Sequence, residues 1–345
     1  MSGIVDNVIQ RWRKQRNIRM LQSEYSCCYA FVGVGSHALQ NLYPVLQYLG
    51  IKLKYICCKN SNKIPLIERR FDVIGTTSLD MILNDDEVKG VFVCVAPQSH
   101  YDICRRVIKA GKYLFVEKPP CQNIIQLKEL IDLDCNHITM VGVQKRYSPF
   151  VQQLKLRLHK SNPTSYTMIY HTGSYPEGNP LTELFIHTID LVTHLFGKAE
   201  VKSFQRLSEK ETTTIQILLS HKDISGFIEL STSYSWSLPK EQLDINTYCG
   251  EYRLENMERL TYCPHPKKIC GVPLEKIGLF TTEEQIIGER NNFSPLVSNN
   301  QLHSQGFISE IKSFADMVEH RGKNISPLPS LLNTYKILEI LSRQE

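Results

Sequence analysis

Glu183, His187 and Asp190 are proton-exchanging residues at helical spacing in the second half of the chain. Glu183 lies four residues before the histidine and Asp190 three residues after it, so in a helix the three side chains share one face. An imidazole changes charge near neutral pH, and a carboxylate beside it would fix its tautomer and hold its protonated form. The pattern predicts general acid–base chemistry with His187 as the proton-transferring group. A core or interface histidine is the alternative, and a metal site that includes His194 is a weaker one.

Lys118 is a second residue with the chemistry to act on a ligand. It follows the apolar run 113–116 and Glu117, and so falls at the carboxyl end of a predicted buried strand. Ligands bind outside the carboxyl ends of the strands in open α/β sheets. An ammonium group there can steady the charge that develops on a substrate oxygen, or share its proton. Outside this setting, a lone lysine would be a surface residue.

A glycine-containing segment of the form G-x-G-x-x-G/A follows the first apolar run, and its residues are Gly33, Val34, Gly35, Ser36, His37 and Ala38. Gly33 permits a tight turn, Gly35 lets the backbone approach a pyrophosphate, and Ala38 lets the following helix pack close to the strand. The amino end of that helix presents unpaired N–H groups and a partial positive charge. The strand–turn–helix context predicts a dinucleotide site; a glycine-rich turn without a ligand is the alternative.

The end of the second predicted strand bears on which dinucleotide is bound. In NAD-binding domains of this type, a carboxylate there binds the ribose 2′-hydroxyl. Here the strand ends with Cys58, Lys59, Asn60 and Ser61, and residues 56–63 contain no carboxylate. Lysine and serine donors suit a 2′-phosphate. NADP(H) is therefore favoured and NAD(H) stays open, while a solvated loop is the alternative reading of these lysines.

Five further segments extend this pattern along almost the whole chain from residue 29: 91–100 (VFVCVAPQSH), 110–120 (AGKYLFVEKPP), 141–149 (VGVQKRYSP), 183–190 (ELFIHTID) and 305–307 (QGF). In this order and spacing they resemble the Gfo/Idh/MocA oxidoreductase family, and in particular its MviM-like branch. The resemblance implies a Rossmann domain followed by an α/β domain whose open sheet often forms an oligomer interface. It also implies hydride transfer between nicotinamide and a carbinol or ketone, often on a sugar or cyclitol.

The resemblance also assigns site residues. Lys118 matches the lysine of the family's E-K-P motif, His187 and Asp190 match its H-x-x-D pair, and Glu183 supports them as a catalytic residue. Substrate contacts are expected from Lys118, Arg146, Tyr147, Glu183 and His187. Beyond the phosphate loop and the second strand, cofactor contacts are expected from Ala96, Pro97, Gln98, His100, Glu117, Lys118 and Gln144. Lys145 and Arg146 could equally bind substrate hydroxyls or a phosphate, or pair with acids at the domain seam.

Three positions depart from the family pattern. Glu183 stands where aspartate is usual, Phe185 where glycine is usual and Gln144 where asparagine is usual. The longer Glu183 and the bulkier Phe185 are expected to reshape or narrow the pocket, which leaves the substrate class open.

Two functions follow from these motifs. The first is an NAD(P)-dependent oxidoreductase that reduces a sugar-like or other polar ketone with NADPH. The second is a catalytically degenerate NAD(P)-binding sensor or scaffold. Oxidation of bound NADPH by a carbonyl substrate would distinguish the two.

The elements that must position these residues change character near residue 150. From residue 29, apolar strand-like runs alternate with helical runs, which is typical of a parallel sheet covered on both faces. Beyond residue 150, strand-like runs follow one another, interrupted by a helical segment near 181–196. We therefore predict an α/β fold: a Rossmann-type doubly wound parallel sheet in 29–147, then an α+β domain in 148–345 with a mostly antiparallel, open-faced sheet.

The end of the chain carries two predicted helices, near 306–319 and 330–341. The family resemblance implies that a C-terminal helix packs back on the first domain. The weakly patterned stretch 257–304 is expected to be rich in loops.

Composition places the chain among ordinary globular proteins. It has 345 residues, of which 42% are hydrophobic and 22% charged, so two domains with sizeable cores are expected. The net charge of +5 is too small and too dispersed for a nucleic-acid footprint. No apolar run is long enough to span a bilayer, and no secretory signal is evident. Eleven cysteines, an odd number, predict free thiols in a cytoplasmic protein.

Residues 1–28 form a separate N-terminal extension. Apolar residues recur between Ile4 and Trp12 at spacings of three and four, which predicts an amphipathic helix. Five basic residues against two acidic ones give the extension a local charge of +3. We expect the helix to pack on its own domain or on a second subunit, with contact to a membrane surface as the alternative. The expected partners are a small-molecule substrate and further copies of the chain, joined through the C-terminal sheet.

Overall fold

The computed structural model describes residues 2–21, 23–278, 281–293 and 296–343. Its first sheet has six parallel strands in the order β3-β2-β1-β4-β5-β6, the strand order of a Rossmann fold. The strands are β1 Cys28–Val32, β2 Leu53–Cys57, β3 Ile74–Thr76, β4 Val88–Val93, β5 Tyr113–Glu117 and β6 Thr139–Gly142. The strand order reverses between β1 and β4, and this switch point is where such sheets bind dinucleotides.

Helices pack on both faces of this sheet. They are a helix that is π-helical over Ala38–Leu42 and continues as α2 Tyr43–Leu49, then α3 Ile64–Phe71, α4 Leu79–Leu83, α5 Pro97–Lys109 and α6 Ile124–Leu133. Successive strand residues point to opposite faces. Ala30 and Val32 therefore join the core under α5 and α6, whereas Tyr29 and Phe31 join the core under α2.

A helix from the far end of the chain completes the second of these cores. This helix, α10, spans Phe307–Val318. The ring of Phe314 lies 4.9 Å from that of Phe92 and 5.7 Å from that of Phe115, both edge-on, and is fully buried. The chain then adds a bridge between Pro327 and Met140 at the edge of β6. The predicted domain 148–345 thus supplies part of the core of the first domain.

The second sheet has eight strands in the order β16-β13-β12-β11-β7-β10-β9-β8, and a two-stranded ribbon of β14 and β15 accompanies it. Its neighbours pair antiparallel except for β7 with β10, which pair parallel. The strands are β7 Pro163–His171, β8 Ala199–Glu209, β9 Thr212–His221, β10 Ile224–Ser231, β11 Lys240–Thr247, β12 Gly250–Glu255, β13 Arg259–Pro264, β14 Lys268–Ile269, β15 Val272–Pro273 and β16 Gln285–Glu289. The predicted fold class is confirmed.

One face of the second sheet is covered and the other is open. The helices outside the first sheet are α7 Pro149–Ser161, a π-helical turn Leu181–Phe185 that continues as α8 Ile186–Phe196, α9 Gln301–Ser304 and α11 Leu332–Ser342. On the open face, Leu207, Leu218 and Phe227 are 56%, 42% and 39% exposed. The homo-oligomer predicted on this face stays a prediction.

Two expectations for the C-terminal half were wrong. The helix α7 was not predicted, although it begins with Pro149 in its first turn and buries Val151, Leu154 and Leu158 on one side. The stretch 257–304 is less loop-rich than expected, because β13 and β16 extend the edge of the large sheet. These strands are short, and their stability comes from the pairing of β13 with β12 and of β16 with β13, which no local pattern reveals.

The N-terminal extension forms the helix α1, Ser2–Leu21. Among its described side chains, residues 5–15 are all exposed, including Val5 (56%), Val8 (62%) and Trp12 (58%). The expected burial of this face on the helix's own domain is therefore not observed for these residues. The described helices include none that is long and apolar enough to cross a membrane.

Candidate active site

The phosphate loop leaves β1 in the conformation that the sequence requires. Gly33 has φ +121°, and a Cβ at this position would lie 1.9 Å from the carbonyl oxygen of Cys94. The Gly33 amide donates to the Cys57 carbonyl at 2.9 Å, and the Tyr43 hydroxyl donates to the Gly33 carbonyl at 2.9 Å. Any side chain at Gly33 would therefore disrupt the junction of β1, β2 and β4.

Gly35 lies where a ligand can approach the backbone. A Cβ at Gly35 would meet no protein atom within 4 Å. The helix begins directly afterwards, and its first bond joins the Leu39 amide to the Gly35 carbonyl at 3.0 Å. Ala38 is fully buried against the sheet. An open cradle at the amino end of a helix fits the pyrophosphate of a dinucleotide.

The segment after β2 offers cations and hydroxyls rather than carboxylates. Lys59 and Ser61 are exposed, whereas Cys58 is buried and its thiol donates to the Asn60 carbonyl at 3.2 Å. Asn60 in turn caps the turn that follows, accepting from the Asn62 amide at 2.9 Å. Lys59 and Ser61 are thus free of the core and available to a ligand, while Cys58 can offer only its backbone.

Glu117 sits buried between the phosphate loop and Lys118. Its Oε1 lies 3.3 Å from Nε2 of His37, and its Oε2 accepts from the Lys118 amide at 3.2 Å. Burial alone would raise the pKa of Glu117, but His37, Lys118 and His100 outweigh it and lower the pKa. An ionised carboxylate therefore lies behind the loop and holds His37 toward the sheet.

His100, assigned to the cofactor by resemblance, lies inside the protein. It is 1% exposed; its Nδ1 donates to the Pro119 carbonyl at 2.7 Å and its Nε2 accepts from the Val95 amide at 3.3 Å. Burial lowers the pKa of His100, so the ring is neutral with its proton on Nδ1. His100 fastens the Lys118–Pro119 turn, whose peptide bond is cis, and so corrects the expectation of a direct cofactor contact. Gln144, 9% exposed, likewise offers little surface.

The cofactor segment 96–98 opens α5. Ala96 and Gln98 are exposed and Pro97 is partly buried in the first turn of the helix. The segment follows β4, next to β1 in the sheet, and therefore lies at the same edge as the phosphate loop.

Lys118 reaches from the first domain to the second. Its Nζ donates to the Glu183 carbonyl at 2.5 Å. Desolvation lowers the pKa of Lys118, an effect that Glu117 and Glu183 oppose and Lys145 reinforces. Lys118 therefore gives up its proton more readily than a lysine in water.

His187 lies beside this ammonium as a neutral base. It is 8% exposed, and its Nδ1 has no hydrogen-bond partner in the described part of the chain. Burial lowers the pKa of His187 well below its usual range, and the charges of Lys118 and Lys145 lower it further. This corrects the expectation that a carboxylate holds the protonated imidazole. The free ring nitrogen is a polar group that a bound substrate can satisfy.

The carboxylates expected to flank His187 are bound elsewhere. Asp190, 2% exposed, makes a bidentate pair with Arg146, with Nε–Oδ2 at 2.7 Å and Nη2–Oδ1 at 2.5 Å. Glu183 accepts from the Tyr175 hydroxyl at 3.0 Å and from the Asn179 amide at 3.1 Å. The helical spacing places these side chains on neighbouring positions. Each carboxylate nevertheless accepts hydrogen bonds from groups other than the His187 imidazole.

Arg146 and Tyr147 are structural in this arrangement, contrary to the expected substrate contacts. Arg146 is 2% exposed and spends its remaining donors on the Ile325 carbonyl and the Ser330 hydroxyl, each at 2.9 Å. Tyr147 is 4% exposed, with its hydroxyl 2.8 Å from that of Ser326. Of the two readings considered for Arg146, pairing with an acid at the domain seam is the one observed.

Lys145 and Glu241 form a buried ion pair, of which the sequence analysis named only the lysine. Their Nζ and Oε1 atoms lie 2.5 Å apart, and the ammonium lies 4.7 Å from the centre of the Tyr170 ring. Glu241 was not predicted. Its signal was present, because it occupies the inward phase of β11 that Leu243 and Ile245 continue. The Tyr170 ring also meets Phe185 edge-on at 6.2 Å, so the bulky Phe185 is accommodated in the core under the site.

Glu310 is a further buried carboxyl, on α10 behind Glu117. It is fully buried, and neither oxygen makes a hydrogen bond of normal geometry to the residues described. Burial and the charge of Glu117 raise the pKa of Glu310 well above its usual range. The folded protein therefore binds this proton more tightly than the unfolded chain does. The stability that the group contributes is complete below its unfolded pKa and is lost as pH rises toward the folded pKa.

Glu310→Gln is expected to raise the free energy of unfolding at pH 8 by about 1–3 kcal/mol, because the amide need not be neutralised to stay buried. At about pH 3, well below the pKa of the unfolded glutamate, the carboxyl is protonated in both states and the change should be small. Urea unfolding at the two pH values measures the difference, with Glu200→Gln, an exposed carboxylate, as the control. An equal effect at both pH values would contradict a neutral Glu310.

Comparison with known proteins agrees with this geometry. Residues 28–144 match the family model of the Gfo/Idh/MocA oxidoreductases, described as an oxidoreductase family with an NAD-binding Rossmann fold. The uncharacterised oxidoreductase YhhX of Escherichia coli K12 is 26% identical over 182 residues, 48% of this chain and 53% of that protein. The inositol 2-dehydrogenase/D-chiro-inositol 3-dehydrogenase of Lactiplantibacillus plantarum is 27% identical over 146 residues, 39% of this chain and 41% of that protein.

The fold is shared over a larger part of the chain than the sequence. The crystal structure of the dehydrogenase MviM from Clostridium difficile superposes with a TM-score of 0.76 at 18% identity, covering 92% of this chain and 98% of the other. In sequence, the chain spans about half the length of the curated relatives it matches. The likeness to the Gfo/Idh/MocA oxidoreductase family model is thus one of the Rossmann domain, residues 28–144.

Proposed function

We propose that this protein is an NADP(H)-preferring oxidoreductase that reduces a ketone on a sugar-like or other polar substrate. The observation that carries the proposal is the position of Lys118, directly after β5 with its Nζ held by the Glu183 carbonyl, near a neutral His187 whose Nδ1 has no hydrogen-bond partner among the described residues. The phosphate loop lies at the same edge. A bound nicotinamide would supply or accept the hydride there. Such placement brings a proton-transferring group to the side of the cofactor at which a carbonyl must bind.

The two groups divide the work on the substrate oxygen. We assign delivery of the proton to Lys118, since desolvation lowers its pKa and so makes its ammonium a better proton donor than that of an exposed lysine. Neutral His187 holds the substrate hydroxyl or carbonyl through its free Nδ1 and orients it toward the ammonium. In the direction of carbinol oxidation, the amine form of Lys118 takes the same proton back, and His187 again holds the substrate oxygen. Glu183 positions Lys118 through its backbone carbonyl, and Glu241 holds Lys145 near the site.

The choice of NADP(H) follows from the segment after β2. Lys59 and Ser61 can bind a 2′-phosphate, and no acid at residues 58–63 would repel it. We expect NADPH to bind at least tenfold more tightly than NADH, because charge-assisted bonds to a phosphate are worth about 1.5–3 kcal/mol. Lys59→Ala should weaken NADPH about tenfold and leave NADH unchanged. Lys52→Ala, an exposed lysine at the opposite end of β2, is the matched control. Fluorescence titration measures both affinities, and a preference for NADH would overturn this assignment.

A catalytically degenerate sensor or scaffold is the second candidate function, favoured by the departures at Glu183 and Phe185. The deciding experiment follows NADPH oxidation at 340 nm with a panel of polyol-derived ketones and aldoses. Turnover with any of them supports the oxidoreductase. Tight NADPH binding with no turnover on the panel, and no NADP⁺ reduction by inositols or sugars, would favour the sensor.

A further inference from the structure

A cluster of exposed apolar side chains lies in the loop between β10 and β11. Tyr234, Trp236 and Leu238 are 57%, 54% and 80% exposed. Apolar side chains this large, grouped and open to water, are typical of a surface that binds something. The catalytic arrangement described above does not use them.

The loop holds its aromatic rings in fixed positions. The Trp236 indole N–H donates to the Ser174 carbonyl at 2.7 Å, and the ring lies so close to Gly173 that a Cβ there would be 2.3 Å from Cδ1. The Tyr234 ring stacks on His171, with centres 4.0 Å apart and planes 8° apart. The Tyr234 amide donates to the Thr172 carbonyl at 2.9 Å. The indole is thus ordered in advance, and its one polar atom is already satisfied.

The loop is tied to the candidate active site from both ends. On one side, the Tyr175 ring lies 6.3 Å from Trp236, and its hydroxyl donates to Glu183, whose carbonyl holds Lys118. On the other side, the loop runs into β11, where Glu241 pairs with Lys145. Trp236 therefore lies one side chain beyond the residues that hold Lys118.

We propose that Tyr175 and Trp236 form a stacking subsite for a second ring of the substrate, joined to the sugar-like unit that reacts at Lys118; this assignment rests on the proposed function. An indole whose N–H is occupied has only its flat face to offer. That face binds the C–H face of a pyranose or the π-face of a planar ring without reading its hydroxyls. A substrate with one ring would occupy the reacting position and leave the stacking subsite empty. The substrate class is therefore a glycoside or sugar conjugate.

The chain offers a direct optical test, because it contains only two tryptophans. Trp12→Phe leaves Trp236 as the sole indole, so its emission reports occupancy of the stacking subsite. The probes are D-glucose, maltose, phenyl β-D-glucopyranoside and uridine diphosphate glucose, each titrated in the presence of NADP⁺. We expect a saturable change in Trp236 emission with at least one of the three probes that carry a further ring beside glucose, bound about tenfold more tightly than glucose. The probe that binds best identifies the second ring as saccharide, aryl or nucleotide.

Substitution then separates stacking from other causes. By calorimetry, Trp236→Ala should remove the advantage of the two-ring probe, whereas Trp236→Phe should retain most of it. Equal affinity for glucose and all two-ring probes would overturn the proposal. The proposal would also be overturned if the only change in Trp236→Ala were a smaller assembly on size-exclusion chromatography. That result would mean that a second copy of the chain covers the Trp236 ring in the unaltered protein. Ring binding without turnover would defeat the proposed function alone, and turnover that is insensitive to Trp236 would defeat the subsite alone.

Discussion

Lys118→Ala is expected to lower turnover by a factor of about 10²–10⁴ while changing NADPH affinity far less, because a positioned acid contributes roughly this much to a proton transfer. The Nζ atom stands at the domain seam, held by the Glu183 carbonyl. Its removal takes away both the proton and the charge that would steady the substrate oxygen. His187→Ala should also lower turnover by removing the orienting nitrogen. Steady-state kinetics with NADPH and the best carbonyl substrate, together with cofactor titration, measures both effects.

The pH dependence provides a second signature of this assignment. Desolvation lowers the pKa of Lys118, so the ammonium is lost at a pH below that of an ordinary lysine. Ketone reduction requires the charged form and should therefore decline as pH rises through that lowered pKa. His187 is neutral throughout the neutral range, because burial and two nearby lysines lower its pKa. The profile of kcat/KM should accordingly show no limb near the usual pKa of histidine.

A second lysine whose pKa is lowered by burial serves as the control for Lys118. Lys155 lies on α7 with its Nζ 3.0 Å from Nε2 of His194, and burial lowers its pKa too. Lys155→Ala removes the same groups away from the candidate site and should leave turnover within about twofold. Near-normal turnover of Lys118→Ala would show that another group delivers the proton. Equal losses in both variants would indicate a general structural effect.

The Rossmann half was predictable because its signals are local. Most strands there contain an apolar run closed by a glycine or a polar turn, with the short β3 as the exception, and the loop at Gly33 follows from backbone geometry alone. The helix α10 could be placed in sequence but not in space. Its packing on Phe92 and Phe115 joins residues far apart in the chain, which only the family resemblance suggested. The strand β16 pairs with β13 at the edge of the large sheet, across a loop, and its sequence shows no pattern that predicts this pairing.

The sequence predicted where the candidate site residues lie better than it predicted which hydrogen-bond and ion-pair partners they have. The sequence placed Lys118 at the end of a strand and His187 on a helix, as in the structure, while their catalytic roles stay predictions. Spacing could not tell which base each acid would meet. Asp190 lies one helical turn from His187 yet binds Arg146, because a guanidinium offers two parallel donors and stays charged when buried. Such competition depends on the whole packed seam.

Asp190→Ala is expected to destabilise the fold by about 3–5 kcal/mol, since it leaves the Arg146 charge buried without a partner. The guanidinium joins the end of the Rossmann domain to α8 and to the segment at Ile325 and Ser330, so its loss of order should loosen three parts of the chain together. Urea unfolding measures the change. Asp244→Ala, which breaks the more exposed pair with Arg253, should cost no more than about 1 kcal/mol.

A double variant decides whether Asp190 acts in the chemistry or in the fold. Arg146→Met with Asp190→Leu removes both charges together, and replacing a buried pair with apolar groups of similar volume is often neutral. The double variant should therefore regain most of the stability lost in Asp190→Ala. If its turnover is also restored, Asp190 stabilises the seam and the predicted catalytic role falls. If Asp190→Asn folds with normal stability but loses turnover a hundredfold or more, the carboxylate acts on His187 in the working enzyme after all, through a rearrangement in which it leaves Arg146.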